Sequence, residues 1–315
     1  MTAASWNVGD VKITSIVELH NVRHPNFVFR NLSQEEVLQQ AWLRPHFATE
    51  DGRLISVTQA FVVECAERRI IIDTCIGNGK SRKWPAWNKL DEPFLTELAD
   101  AGYPAESIDT VLCTHLHVDH VGWNTRLVDG RWIPTFPNAS YLFGRKEWEY
   151  WSAETDEKLN SDVSQEVASE VLETRTVYQD SVRPIIEAGL HKLVEMDHKL
   201  TDEISLEPTP GHTPGHVSVR ISSRGQHAII TGDMMHHPIQ CALPEASSNF
   251  DYSVAEASAT RKEFLRCCAD RPVLVLGTHF PEPTAGWIVS NGKSWRFSVL
   301  PGHCRLDGQK ITNAT

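Results

Sequence analysis

The feature that most restricts this chain is an abrupt change of character at residue 114. Residues 108–113 form a short apolar run bounded by Pro104, a pattern that reads as a buried strand. That run empties directly into Thr114-His115-Leu116-His117-Val118-Asp119-His120-Val121-Gly122. Four side chains that bind metals thus fall at one strand exit. In extended backbone His115, His117 and Asp119 share one side, whereas His120 projects elsewhere once the chain turns. One short segment can therefore serve two adjacent metal positions.

Three further segments supply matching donors. Pro210-Gly211-His212-Thr213-Pro214-Gly215-His216 reads as a rigid, glycine-relieved turn between strands that presents one imidazole. His216 itself reads as the start of the next strand rather than a ligand. Gly232-Asp233 ends the apolar run Ala228-Ile229-Ile230, and Gly277-Thr278-His279 follows Val273-Leu274-Val275-Leu276. Any one of these alone reads as a hydrogen-bonded structural residue. Together they place seven nitrogen and oxygen donors, and no thiolate, at the ends of four buried segments. Imidazole and carboxylate suit zinc, and also iron, manganese or cobalt. No Gly-x-Ser-x-Gly elbow offers a serine nucleophile instead.

The rest of the chain alternates strand pairs with helix. Strand patterns fall at 11–19, 57–65 and 69–74. A short helix is expected after Asp91 as cap, with Pro93 in its first turn and Gly102 as its stop. Apolar residues at helical spacing predict a mostly helical insertion over 162–188, interrupted near Pro184. Further strands follow at 191–197, 204–208, 216–222, 226–231 and 272–276. Ser253 with Glu256 makes a capping box for a helix to about Cys268. Asn291-Gly292 joins the strands 287–290 and 293–297 as a hairpin. Residues 21–54 show weak periodicity, which reads as a long covering loop. The expectation is an α/β (α+β) chain of two mixed sheets with helices outside. It reads as a single domain over 1–315, with halves at roughly 1–150 and 190–300 and an insertion at 154–188.

Composition removes other classes. The net charge is −11, which disfavours nucleic acid or an anionic membrane surface as partner. No apolar stretch approaches the roughly 20 residues of a membrane span, and the first residues lack the pattern of a secretory signal. Ten Trp, eleven Phe and five Tyr are ample for a folded core. Seven cysteines without a Cys-x-x-Cys pair read as reduced thiols in a cytoplasmic protein.

The pattern His115-x-His117-x-Asp119-His120, with His212, Asp233 and His279 in order, resembles the metallo-β-lactamase superfamily. The resemblance runs from the strand at 11–19 to His279 and implies an αβ/βα sandwich with the metals at one sheet edge. Carried over by position, it implies that His115, His117 and His212 hold one metal and that Asp119, His120 and His279 hold a second. Asp233 would bridge the two, and Asp73 matches a strand-end aspartate that orients an imidazole. The implied cofactors are two divalent ions, zinc first, sharing a water whose pKa falls from about 15.7 towards 7. Asp119 would pass the proton to the departing group.

Within the superfamily, the chain is most similar to the branch of acyl-homoserine-lactone lactonases, pyridoxolactonase, methyl parathion hydrolase and a hydrolytic aryl dehalogenase. Many lactonases of that branch carry a tyrosine three residues after the bridging aspartate. Here the position is His236, a second candidate catalytic residue beside Asp119. Phe27, Phe29, Trp84, Trp87 and Trp123 are candidate pocket residues, each with core packing as its plain alternative; as a set they favour a hydrophobic or aromatic small molecule. The favoured activity is hydrolysis of a lactone or related ester. Alternatives are a phosphotriester hydrolase or aryl dehalogenase on the same site, a mono-iron sulfur dioxygenase, and a non-catalytic binding protein. The loop 21–54 and the insertion are candidate lids or homodimer contacts.

Overall fold

The structure is a computed structural model and describes residues 3–66, 68–157 and 174–299. The chain divides into two compact units. The first contains Lys12–Glu18 and Thr58–Glu195, the second Trp6–Val11, Leu19–Val57 and the chain from Met196 onward. The strands to residue 194 are β1 (Ser5–Val8), β2 (Val11–Arg23), β3 (Leu54–Cys65), β4 (Arg68–Ile72), β5 (Thr110–Leu112), β6 (Thr125–Val128), β7 (Arg131–Pro134), β8 (Ser140–Gly144) and β9 (His191–Val194). Seven of them form a sheet in the order β1-β2-β3-β4-β5-β8-β9, and β6 pairs with β7 separately.

In the first unit β3 and β4 are antiparallel, with Phe61 opposite Ile72, whereas β4, β5, β8 and β9 run parallel. Parallel strands are covered on both faces, so they are apolar throughout rather than alternating. Ile70-Ile71-Ile72 and Val111-Leu112 have that composition and are buried. Phe94 and Leu98, from the helix Phe94–Asp100, complete the core with Val62, Ile71, Tyr141 and Phe143. That helix starts at Pro93 without a side-chain cap, so Asp91 does not fill the capping place expected of it.

The expected insertion over 162–188 lies largely outside the described residues. Its described end is a π-helical turn, Tyr178–Val182, continued by Arg183–Glu187 with Pro184 in the first turn. Pro184 thus lies inside a continuous helical run, and the π-helical turn directly before it is the interruption expected there. The π turn buries Asp180, which binds Arg82 through two bonds of 2.7 and 3.0 Å.

The second unit carries a sheet in the order β10-β11-β12-β13-β14-β15. Its strands are β10 (Ile204–Pro208), β11 (Val217–Ser223), β12 (Gln226–Ile230), β13 (Val273–Leu276), β14 (Ala285–Asn291) and β15 (Ser294–Ser298). The pair β12 and β13 is parallel and the others antiparallel. The Asn291-Gly292 hairpin forms as expected, with Asn291 opposite Ser294 and Gly292 at φ 64°. Ser253 caps Val254–Cys268 by accepting from the Glu256 amide.

Residues 21–54 depart from the expected covering loop. They fold into the short helices Pro25–Val28 and Gln34–Gln39 and a 3-10 turn, Ala41–Leu43. Phe29, Leu32, Val37, Leu43 and Phe47 are buried in the core of the second unit with Ile229, Val275, Phe280 and Ile288. Each short helix contributes only one or two core residues, so no long period marks them in the sequence.

Among the described residues no helix is long and apolar enough to cross a membrane. In both units, loops leaving the C-terminal ends of parallel strands carry the candidate ligands. This is where open α/β sheets present side chains to ligands.

Candidate metal centre

In the first unit, β4 ends at Ile72 and β5 at Leu112, side by side. Asp73 follows β4 immediately, in the left-handed region at φ 57°. Its backbone amide donates to the Leu112 carbonyl, and its carboxylate accepts from the Thr114 amide at 2.8 Å. The same carboxylate accepts from His120 Nδ1 at 2.9 Å. The two strand exits are also locked through backbone: a Cβ on Gly122 would lie 1.9 Å from the Ile76 carbonyl oxygen, so only glycine fits there.

The four donors of the first unit stand close together. His115 Nε2 is 3.0 Å from His117 Nδ1, and the rings of His115 and His120 are 4.0 Å apart. His120 Nε2 is 3.6 Å from Asp119 Oδ1. His115 and His120 are fully buried, while His117 and Asp119 are partly open. Buried Glu147 accepts from the Leu116 amide and from the Trp151 indole, whose ring packs edge-on against His117 at 5.4 Å. Glu18 accepts from the Ile76 and Gly77 amides and from the Trp123 indole. Burial pushes its carboxyl up to about 7.

In the second unit β12 and β13 deliver Asp233 and His279 from neighbouring strand ends, and the turn before β11 delivers His212. That turn needs Gly211: its φ is 128°, and a Cβ would lie 2.2 Å from the Ala257 amide nitrogen. The Asp233 carboxylate is the common point. His212 Nε2 lies 3.3 Å from Oδ2, His236 Nε2 3.3 Å from Oδ2 and His279 Nε2 3.0 Å from Oδ1. The opposite nitrogens are held elsewhere. His279 Nδ1 donates to the Val57 carbonyl at 2.8 Å, and His212 Nδ1 is 3.0 Å from Asp251 Oδ1.

This arrangement tests the donor set for a cation. A carbonyl only accepts, so His279 must carry its proton on Nδ1. The Nε2 lone pair of the neutral ring then faces a carboxylate oxygen at 3.0 Å. Two acceptors at that distance repel unless positive charge lies between them or on the ring. A divalent ion supplies that charge, and imidazole nitrogen with carboxylate oxygen is its ordinary donor set. The residues fit.

His236 is 6% exposed, and apart from the 3.3 Å contact of Nε2 with Asp233 its ring nitrogens make no hydrogen bond among the described residues. Its ring lies 4.8 Å from that of His212 and stacks at 6.0 Å on that of His279. His237 points the other way. It donates to the Phe47 carbonyl and accepts from the Ile239 amide, and burial pushes its pKa down to about 4.

Of the expected pocket residues, Phe29 is fully buried in the second core. Trp123 stacks on Phe94 in the first at 5.5 Å. Both therefore take the core-packing place named as their alternative. Phe27, Trp84 and Trp87 are partly exposed. Asp251, Glu147 and Glu18 were not singled out from the sequence. Asp251 has no strand end or motif beside it, whereas Glu18 leaves a signal, a lone acid closing the apolar run of β2.

Residues 55–283 match the family model described as the metallo-beta-lactamase superfamily. Among curated relatives, an N-acyl homoserine lactonase of a Bacillus species is 25% identical over 231 residues, covering 69% of this chain and 79% of that protein. N-acyl homoserine lactonase AiiB of Agrobacterium fabrum is 28% identical over 123 residues, 34% of this chain and only 41% of that relative. The solved structure of hydrolase AbOPH, described as in the beta lactamase superfamily, is similar at a TM-score of 0.77 and 26% identity, over 94% of this chain and 96% of that one. AidC, described as a dizinc quorum-quenching lactonase in complex with a product, shares the fold at a TM-score of 0.73 and 19% identity, over 94% and 97%. The mixed sheets with helices are the expected α/β class, and the family model spans most of that architecture: the chain belongs to the metallo-β-lactamase superfamily.

Proposed function

We propose that the protein is a metal-dependent hydrolase that opens a lactone, or cleaves a related ester, carrying a hydrophobic or aromatic moiety. In this reading the whole chain acts as one catalytic domain in the cytoplasm, on a diffusing small molecule. Cys75, Cys113, Cys241, Cys267 and Cys268 are free thiols, which suits that compartment. His115, His117, His212 and Asp233 would hold one divalent ion, and Asp119, His120 and His279 would hold a second; the family resemblance assigns Asp233 to both. Zinc is the first choice for this donor set. When bound, the pair supplies an activated water and polarises the carbonyl to be attacked.

The chain's own residues do the rest. Asp73, the Val57 carbonyl and Asp251 hold the far nitrogens of His120, His279 and His212, which leaves each Nε2 lone pair free to ligate. Asp119, partly open beside the fully buried His120, moves the proton from the attacking water to the leaving oxygen. His236 stands where many lactonases of this branch carry tyrosine, and it donates a hydrogen bond to the substrate's carbonyl oxygen. The half-buried Phe27, Trp84 and Trp87 meet the apolar part of the substrate.

The observation that carries this reading is the Asp233 carboxylate, with His279 on one oxygen and His212 on the other. Those are the ligands assigned to different ions. The names of relatives add support, since several are lactonases. The test is elemental analysis of the purified protein, paired with turnover of lactones, aryl esters, phosphotriesters and chloroaromatics. Two equivalents of metal with turnover of lactones or esters is the expected result. One iron per chain, or no metal, would overturn it, and turnover of phosphotriesters alone would move the substrate class.

A further inference from the structure

His216 takes no part in the reading above, and its two ring nitrogens face backbone groups of opposite kind. The ring is fully buried. Nε2 lies 2.9 Å from the backbone nitrogen of Asp233, which can only donate. Nδ1 lies 3.1 Å from the Thr209 carbonyl, which can only accept, and 2.8 Å from Thr209 Oγ1. The imidazole is therefore neutral with its proton on Nδ1.

The chain of bonds continues in one direction. Thr209 Oγ1 is 3.0 Å from Ser218 Oγ, and Ser218 Oγ donates to the Thr231 carbonyl at 2.8 Å. With Nδ1–H directed at Thr209, the threonine hydroxyl is left to donate to Ser218. The Nδ1 proton is shared between the Thr209 carbonyl and hydroxyl oxygens, and each hydroxyl proton further along has one acceptor. The series starts at the Asp233 amide and ends at the Thr231 carbonyl, so it closes a ring around Gly232. That glycine sits at φ 54°, between the strand end and the carboxylate. Thr209, Ser218 and Thr231 are all buried, so water does not compete for these bonds.

We infer that His216 is a positioning residue for Asp233. Through a relay of Thr209 and Ser218 it fixes the two peptide groups flanking Gly232, and so the direction in which the Asp233 carboxylate leaves the end of β12. An aspartate that spans two ions must be placed for both, so small rotations at Gly232 translate into lost ligation. The functional part of this inference rests on the proposed sharing of Asp233; the hydrogen-bond relay does not.

The test compares the parent protein with His216→Phe, His216→Gln and Ser218→Ala. In metal-free samples, hydrogen exchange at the Asp233 amide reads the relay directly. It is expected to be slow in the parent, faster in His216→Phe, and close to the parent in His216→Gln, whose side-chain carbonyl can accept from that amide. Equal exchange in parent and His216→Phe overturns the inference. Zinc affinity by chelator competition and the visible spectrum of the cobalt-loaded protein read the consequence. His216→Phe is expected to lose affinity by about 10–100-fold and to shift the cobalt bands, as losses of ligand-orienting bonds do. His216→Gln should recover most of both, and Ser218→Ala should fall between. If His216→Phe fails to fold, Ser218→Ala alone decides: parent-like exchange, affinity and cobalt bands in it would overturn the relay. A parent that binds no zinc or cobalt but protects the Asp233 amide would overturn the metal reading and leave the relay standing. Unchanged zinc affinity and cobalt bands in His216→Phe, beside faster exchange, would overturn the claim that the relay serves ligation.

Discussion

His120 and Asp73, 47 residues apart in sequence, meet through Nδ1 and Oδ2 at 2.9 Å. The contact fixes which face of the imidazole is left for a cation, because a carboxylate takes the proton-bearing nitrogen. Asp73→Ala is therefore expected to weaken metal binding by about 10–100-fold, read by chelator competition. Asp73→Asn should lose less: asparagine tolerates the left-handed backbone, and its oxygen still accepts from the Thr114 amide. Parent-like affinity in Asp73→Ala would show that orientation comes from elsewhere.

Removing a ligand should act on metal and turnover together. Asp233→Ala and His117→Ala are expected to lose bound metal and hydrolysis in parallel while keeping the far-ultraviolet circular dichroism of the parent. Full activity in a chelated, metal-free preparation would contradict this assignment.

His236 offers the opposite dissociation. His236→Phe should lower kcat by about 10-fold or more with metal content unchanged, the usual scale for removing one well-placed donor. An unaltered kcat would confine the residue to packing between the rings of His212 and His279.

His237 should shape the acid limb of stability. Its folded pKa, about 4, lies below the ordinary value of 6.5 because the ring is buried. The unfolded chain therefore binds the extra proton first, and the stability from this group, full above pH 6.5, is lost as pH falls towards 4. Over that window the loss is about 3 kcal/mol. His237→Gln keeps a donor for the Phe47 carbonyl and cannot titrate. Urea unfolding at pH 7 and pH 4.5 should then show a smaller acid loss in the variant than in the parent.

Phe27 and Phe29 lie two residues apart and should behave differently. Phe29→Ala empties a fully buried site and should cost about 3–5 kcal/mol in denaturant unfolding. Phe27→Ala, at a half-buried ring, should cost far less and raise KM for substrates with long apolar groups. Equal destabilisation by the two would remove Phe27 from the substrate's surroundings.

What the sequence disclosed was uneven, for physical reasons. The buried strands β5, β12 and β13 were legible because parallel or central strands are continuously apolar, and the ligand motifs were legible because they sit directly at strand ends. The Asn291-Gly292 hairpin was legible from its turn chemistry alone. The segment 21–54 was not, because its short helices never complete the period that marks a buried face. Asp251 was hidden for another reason: a carboxylate that serves an imidazole 39 residues away leaves no local trace. The position of the capping residue near 93 was missed because Pro93, rather than an acceptor side chain, begins that helix.

The orienting bonds of His120 and Asp233 come from Asp73 and His216, which flank strand ends, and that of His279 from the Val57 carbonyl within β3. In the proposed reading, bonds within the polypeptide therefore share with the cation the work of aiming these donors. On that reading one divalent ion would be exchangeable for another without unravelling the sheets. The supply of metals, rather than the folding pathway, would then decide which form of the protein works.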